Sequence, residues 1–313
     1  MSEIRTKLIE PLKFLPSMLV STTATNPDPT WSAGTYGLGD VVLREVVWDG
    51  KDHMRGLPML RRFESLVAAN TSTPGEAPDK WIDAGPANTV AMFDGKISTE
   101  TVLSSGDLVV RLAPGSAVQG LSLIGVRGNS VRVRVLDDDA VSFDESQSLL
   151  PDNVTNWFEY FTAPVDQVVS RVLFMNLPAY FYNEIEITIA GTGVGVGNVS
   201  FGPVHDIGSS PALGAEIGED DYSIKTADEY GDAEFQPRPS ADYQNIVVEV
   251  QKSHLNGVRR LLRRLRATPC VLIGSEDPDY AESLINFGWV GAHRTVIDRQ
   301  TKSLLDIEFK GLT

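Results

Sequence analysis

The middle of the chain, residues 88–206, consists of short apolar segments separated by turn residues, and it has no long helical period. Several segments place apolar residues at every second position, as half-buried strands do. Turn signals such as Pro114-Gly115 and Arg127-Gly128-Asn129 separate the segments. We therefore predict a β-sandwich of the jelly-roll type over residues 88–207. Its clearest predicted strands are Leu108–Leu112, Gly120–Ile124, Val131–Val135, Val168–Phe174 and Ile185–Ile189.

Upstream of these strands, aromatic and turn residues recur in a characteristic order: Trp31, Tyr36, Gly39-Asp40-Val41, Phe63-Glu64-Ser65, Asn70, Pro74 and Trp81. This order resembles the small chitin- and cellulose-binding modules, in which a Trp opens the unit, a Tyr leads into a Gly-Asp turn and an N-x-x-x-P loop ends at a second Trp. The resemblance implies a small β unit over residues 31–87 that recognises a glycan surface.

The same resemblance implies that glycan would stack on four aromatic residues, Trp31, Tyr36, Trp48 and Trp81. The chain departs from the pattern between Trp48 and Arg62, where its insert is longer than the tight hairpin of those modules. An alternative interpretation is that the aromatic residues form the core of the unit.

The last part of the chain changes character. A helix is predicted from an N-cap at Ser253 up to the stop signal Thr268-Pro269, with apolar positions at Leu255, Val258, Leu261, Leu262 and Leu265. Strands are predicted at residues 246–250, 270–273, 289–297 and 304–309. Residues 222–313 therefore predict an α+β domain in which one helix covers an antiparallel sheet.

Two further segments complete a mainly β organisation. Residues 1–30 contain Pro11, Pro16, Pro27 and Pro29, which predicts an arm whose order depends on contacts with another surface, such as a neighbouring subunit. Small and acidic residues over 208–221 predict a linker between the sandwich and the α+β domain.

Five arginines lie on the predicted helix, namely Arg259, Arg260, Arg263, Arg264 and Arg266. They form a positive stripe in a chain whose formal net charge is −15. That net charge disfavours a protein that coats nucleic acid. The acidic face of a neighbouring copy or partner, for instance one carrying Asp137–Asp139, suits arginine better. A solvated amphipathic helix is the alternative.

The sequence indicates no catalytic residue, cofactor or metal site. The single cysteine, Cys270, lies in an apolar run and predicts a buried core residue, with no intrachain disulfide. The glycines at 191, 193, 195 and 197 are followed by another strand pattern, so a hairpin is predicted there in preference to a phosphate loop. The four histidines stand singly, and the acidic loops lack the EF-hand spacing for calcium. We also expect no membrane span.

The C-terminal third resembles uncharacterised structural proteins of tailed bacteriophages, through the string Asp221–Gly231, the strand 269–274 and the turn Phe287-Gly288-Trp289. The resemblance implies a non-enzymatic virion component of the tail tip, baseplate or collar, made in the host cytoplasm. Such a protein would assemble with its own copies and with other tail or neck proteins, and would contact host surface polysaccharide. A glycan-active enzyme and a plain glycan-binding adhesin are the alternatives.

Overall fold

A computed structural model of the chain describes residues 5–50, 54–137, 140–150, 169–180, 183–209, 215–227, 232–275, 281–297 and 301–312. The protein is mainly β, as predicted. The helices in the described residues are α1 (Lys252–Arg264) and α2 (Ala281–Leu284), with 3-10 turns at Pro16–Met18 and Ala91–Phe93. None of the helices described is both long and apolar enough to cross a membrane.

In chain order the strands are β1 (Arg5–Ile9), β2 (Leu19–Thr22), β3 (Val41–Val47), β4 (Pro58–Ser65), β5 (Trp81–Pro86), β6 (Thr101–Leu103), β7 (Leu108–Leu112), β8 (Gly120–Ile124), β9 (Ser130–Asp137), β10 (Ala140–Ser148), β11 (Arg171–Met175), β12 (Glu184–Ala190), β13 (Val194–Val196), β14 (Asn198–Gly202), β15 (Val204–Ser209), β16 (Glu216–Asp221), β17 (Ile224–Ala227), β18 (Ala233–Gln236), β19 (Ser240–Gln251), β20 (Cys270–Ile273), β21 (Ile285–Val296) and β22 (Lys302–Gly311).

The chain divides into two compact units. Met1–Pro11 and Phe201–Thr313 form one, here called the end unit, and Leu12–Ser200 forms the other, here called the inserted unit. Strands β1 and β15 pair antiparallel in the end unit, and the Glu10 N–H donates to the Pro203 carbonyl at 3.1 Å. In the sequence, the inserted unit therefore lies between the paired strands β1 and β15.

These units differ from the boundaries expected from the sequence. Residues 5–9 of the predicted arm form β1, which pairs with β15 and β20. The predicted linker 208–221 contains the end of β15 and all of β16. Local composition does not report such pairing, because the partners of β1 lie about 200 positions or more along the chain.

The end unit is built on seven strands in the order β15-β1-β20-β21-β22-β19-β16. Strand β15 also pairs with β19, at Ser209 and Glu249, so the sheet closes on itself. Gly208 permits this closure: its φ is +151°, and a Cβ there would collide with the Glu249 carbonyl.

Helix α1 covers one face of this sheet, as predicted. Val258, Leu261 and Leu262 join a core cluster with Ile246, Val248 and other strand residues. The prediction that Ser253 caps the helix was wrong: β19 runs directly into α1, Gln251 stands at the N-cap, and no side chain caps it.

The inserted unit contains a β-sandwich-like arrangement. One sheet has the order β10-β9-β12-β7-β2, a second has β11-β8-β14, and β13 pairs with β6. Burial alternates along β7, β9 and β12, as the apolar periodicity predicts. The predicted strands at 108–112 and 120–124 are confirmed, those at 131–135 and 185–189 lie within longer strands, and Val168 lies outside the described residues. The glycine-rich segment forms strands β13 and β14, not a phosphate loop followed by a helix.

Candidate functional site

Strands β3, β4 and β5 form an antiparallel sheet that carries the aromatic unit, residues 31–87. Val42 and Phe63 are cross-strand partners, and Trp81 lies opposite Ser65. Trp81 is only 3% exposed, and its Nε1 donates a hydrogen bond to the Ser72 carbonyl at 3.0 Å. Trp81 therefore belongs to the core of the aromatic unit, where its ring faces are closed to a sugar.

Tyr36 also makes packing contacts and hydrogen bonds within the aromatic unit. It meets Trp81 edge-on, with ring centroids 5.4 Å apart and ring planes at 68°. Its hydroxyl donates to the Ser32 carbonyl at 2.7 Å and accepts from the Ser32 N–H at 3.0 Å. Part of the ring remains exposed, so Tyr36 is half-buried.

The turn and loop residues of the sequence pattern form one hydrogen-bond network. Gly39 takes a φ of +83°, which glycine adopts readily, and its N–H donates to the Ser65 carbonyl at 2.8 Å. The Asn70 amide donates to Ser65 Oγ at 3.0 Å and to the Lys80 carbonyl at 3.1 Å. The spacing that suggests a carbohydrate module is thus also the spacing that closes this small fold.

Trp31 lies beneath an anchored arginine. The Arg44 guanidinium carbon is 5.4 Å from the ring centroid of Trp31, and Arg44 also binds the Pro74 carbonyl and, at 2.9 Å, the Glu76 carboxylate. Trp31 is half-buried, and its Nε1 is buried without a hydrogen-bond partner among the residues described. An unpaired buried donor costs about 1–3 kcal/mol.

Trp48 has a similar cation over its ring but a different neighbourhood. The Arg61 guanidinium carbon lies 3.9 Å from the ring centroid, and Arg61 binds both oxygens of Asp83 at 2.6 and 2.8 Å. The backbone at Gly50 is so close to the ring that a Cβ there would collide with it. His53, in the same insert, lies outside the described residues.

The structure therefore separates the four residues predicted to bind glycan. Trp81 is core, Trp31 and Tyr36 pack against that core, and Trp48 lies under Arg61. The three residues other than Trp81 are half-buried. They do not form one open aromatic platform.

Helix α1 presents its arginines to solvent. We call this surface the arginine face; it consists of Arg259, Arg260, Arg263 and Arg264 on the helix and Arg266 just beyond its end, all of them exposed. Their positions follow from the helical period, since the apolar residues of the helix point to the sheet. In the described part of the chain, Arg264 alone among the five forms an ion pair, with Glu10.

A cleft of about 520 Å³ lies between β15 and α1. Arg260, Arg264 and His205 contribute to its lining. Glu10 binds Arg264, and its carboxylate lies 2.9 Å from His205 Nε2. Glu10 therefore offsets part of the positive charge at the cleft, whereas Arg260 is outside this network.

An acidic strand at the edge of the end unit was missed by sequence reasoning. Strand β16 is the last strand of the sheet and pairs with β19. We call it the acidic edge; its carboxylates are all exposed, Glu216, Glu219, Asp220 and Asp221. The run Glu219-Asp220-Asp221 is visible in the sequence, but small and acidic residues of this kind also predict a linker, and the structure places them in β16. The sequence also offers Asp137–Asp139 as an acidic partner surface for the arginines, but Asp138 and Asp139 lie outside the described residues.

One carboxylate of the acidic edge, Asp221, is neutralised by a nearby lysine. Lys225 binds Asp221 at 2.8 Å, and its hydrogen bond holds the pKa of that carboxyl well below its usual range. Glu219 lies directly opposite Asp242 on β19. In the residues that the structure describes, no cation pairs with Glu216, Glu219 or Asp220.

Burial shifts the pKa of Asp94 in the inserted unit and of Cys270 in the end unit. Asp94 in the inserted unit is 5% exposed and accepts hydrogen bonds from Thr99 Oγ1 at 2.6 Å and the Lys96 N–H at 2.9 Å; burial raises its pKa. Cys270 in the end unit is fully buried, as predicted, and burial raises the pKa of its thiol to about 12. The described residues contain no cluster of three or more potential metal ligands of the His, Cys, Asp or Glu type.

A scan of protein-family models finds none that matches the chain, and a search of the curated proteins finds no match. The likenesses to carbohydrate-binding modules and to phage virion proteins rest on the sequence patterns alone.

Proposed function

We propose that this protein is a non-enzymatic structural component of a tailed-phage virion, in the tail, baseplate or collar, where it assembles into an oligomer. One observation carries the proposal. Helix α1 and the residues just after it expose five arginines, and four of them have no carboxylate partner in the described part of a chain whose net charge is −15.

Electrostatics favour a protein partner for this surface. Arginine forms forked hydrogen bonds to carboxylates and is enriched in protein interfaces. A nucleic-acid-binding protein would instead spread Lys and Arg over a broad surface, and the acidic remainder of this chain would repel phosphate. The proposed partners are therefore other copies of the chain and neighbouring virion proteins.

The proposal is tested on virions and on the purified chain. Quantitative mass spectrometry of intact particles should find the protein in a fixed ratio to the other tail proteins. Light scattering after size exclusion should find a mass above that of the 34.1 kDa monomer. Absence from particles, or a purified monomer that also fails to bind other tail proteins, would refute the proposal.

Glycan contact by the aromatic unit is a second candidate, favoured by three aromatic residues that are only half-buried, Trp31, Tyr36 and Trp48. Trp31 also has an indole N–H without an acceptor in the described residues, which a ligand hydroxyl would supply after a small shift of the ring. Isothermal titration with host cell-wall polysaccharide tests this candidate. Trp31→Ala should abolish the heat of binding while Trp48→Ala retains part of it; no heat with the unaltered chain would exclude the polysaccharide used.

A further inference from the structure

We propose that the arginine face of one copy binds the acidic edge of a second copy. This inference rests on the proposed function, since it names the two surfaces through which the chain would assemble. Both surfaces lie in the end unit, on α1 and on β16.

The arginine face carries repulsion that a partner would relieve. Arg259 and Arg263 are four residues apart on α1, as are Arg260 and Arg264, so each pair lies on one side of the helix. Like charges at this spacing destabilise a helix. The helix dipole favours the two arginines of the last turn, but it does not account for Arg259 and Arg260.

The acidic edge has the complementary character. Glu216 and Glu219 receive hydrogen bonds from neutral side chains, Asn245 and Ser240. Within the ranges that the structure describes, no cation pairs with Glu216, Glu219 or Asp220. Cations from another molecule would compensate the charge of these carboxylates.

The edge also offers apolar contact and main-chain groups. Ile217 is 47% exposed between the acidic residues, and Tyr222 just beyond the strand is 54% exposed. Since β16 is the last strand in the sheet order, its outer side presents backbone donors and acceptors. The arginines of a partner helix match this mixture of groups, because their stems are apolar and their guanidinium groups are charged donors.

A second copy is the favoured occupant because one chain carries both complementary surfaces. Among the described residues no ion pair joins α1 to β16, so neither surface neutralises the other within a chain. Two different patches that bind each other give a head-to-tail contact, which repeats into a ring or a filament. Such repetition is what a tail or collar component requires.

Charge reversal tests the contact. One variant carries Arg259→Glu and Arg263→Glu, and a second carries Glu216→Arg and Asp220→Arg. Sedimentation velocity at about 50 mM salt should show the unaltered chain associated and each variant at least about tenfold weaker. An equimolar mixture of the two variants should associate again, because each supplies the surface that the other has lost. A chain carrying all four substitutions should associate with itself.

A matched control carries Arg55→Glu and Lys80→Glu, two exposed residues of the inserted unit, with the same change in net charge as the helix variant. Its association should equal that of the unaltered chain. Circular dichroism should show every variant folded.

The outcomes separate this inference from the proposed function. If the unaltered chain is monomeric at all concentrations, self-assembly and this contact both fail. If the chain associates but neither reversal weakens it, only the contact is wrong. If the helix variant alone dissociates and the mixture stays apart, the arginine face binds a different acidic surface. If association disappears on nuclease treatment, the partner is nucleic acid.

Discussion

The aromatic unit and helix α1 hold the two sets of side chains that stand out most in the sequence, and the structure orients them in opposite ways. Trp81 points into its own sheet and Tyr36 packs on it, whereas Arg259 and Arg263 point to solvent. The aromatic residues lose contact with water when they pack. Charged guanidinium groups retain that contact unless a carboxylate partner compensates for its loss. A conspicuous aromatic pattern therefore indicates a core before it indicates a binding face.

Of the substitutions considered, Trp81→Ala should lower the free energy of unfolding most. Removing a buried Trp should destabilise the aromatic unit by about 3–5 kcal/mol. Trp48→Ala removes a half-buried ring and should cost at most about 2 kcal/mol. Hydrogen exchange followed by mass spectrometry measures the loss of protection in β3, β4 and β5. Equal effects of the two substitutions would show that Trp81 is not a special core residue.

Gly208→Ala tests whether closure of the end sheet supports α1 and its arginines. A Cβ at this position would collide with the Glu249 carbonyl, so we expect a cost of about 1–3 kcal/mol. Urea unfolding monitored by circular dichroism measures it. Gly257→Ala is the matched control, because a Cβ there meets nothing within 4 Å and lies in a helix. The control should be stabilised by about 0.5–1 kcal/mol. If Gly208→Ala does not lower the free energy of unfolding, β15 and β19 need no close approach.

Asp94→Asn tests whether burial raises the pKa of the Asp94 carboxyl. Burial raises the native pKa of Asp94 above its ordinary value of 3.8, so the unfolded state ionises first as pH rises. The stability contributed by the neutral carboxyl is present below pH 3.8 and is lost as pH rises through the native pKa. The free energy of unfolding of the unaltered chain should therefore fall relative to that of Asp94→Asn over this interval. If the free energy of unfolding of the unaltered chain stays constant or rises relative to that of Asp94→Asn as pH increases, the pKa of Asp94 is not raised by burial.

Arg259→Ala and Arg263→Ala together give the smallest expected effect. Exposed charges contribute little to stability, and the substitutions remove a like-charged pair, so the free energy of unfolding of the monomeric chain, measured at high dilution and high salt, should change by less than about 0.5 kcal/mol. Val258→Ala, on the buried side of the same helix, is the control and should cost about 1–3 kcal/mol. A large loss with the arginine pair would mean that these side chains hold the end unit together.

Much of the fold could be predicted from local patterns. The apolar alternation located β7 and β8 at their observed bounds, and the leucines of α1 correctly marked the side that packs on the sheet. The partners of β1 could not be predicted, because pairing between distant segments depends on register and twist over the whole sheet. The acidic edge was missed for the same reason, since small and acidic residues suit an edge strand as well as a linker.

Local periodicity and charge account for the mainly β character, the separate helix and the exposure of its arginines. Tertiary contacts, in contrast, pair β1 with β15 and β20, close the sheet at Gly208 and turn Trp81 inward. These features depend on which surfaces meet. That choice minimises the exposed apolar area and the unpaired backbone groups of the whole chain, and no short segment contains it.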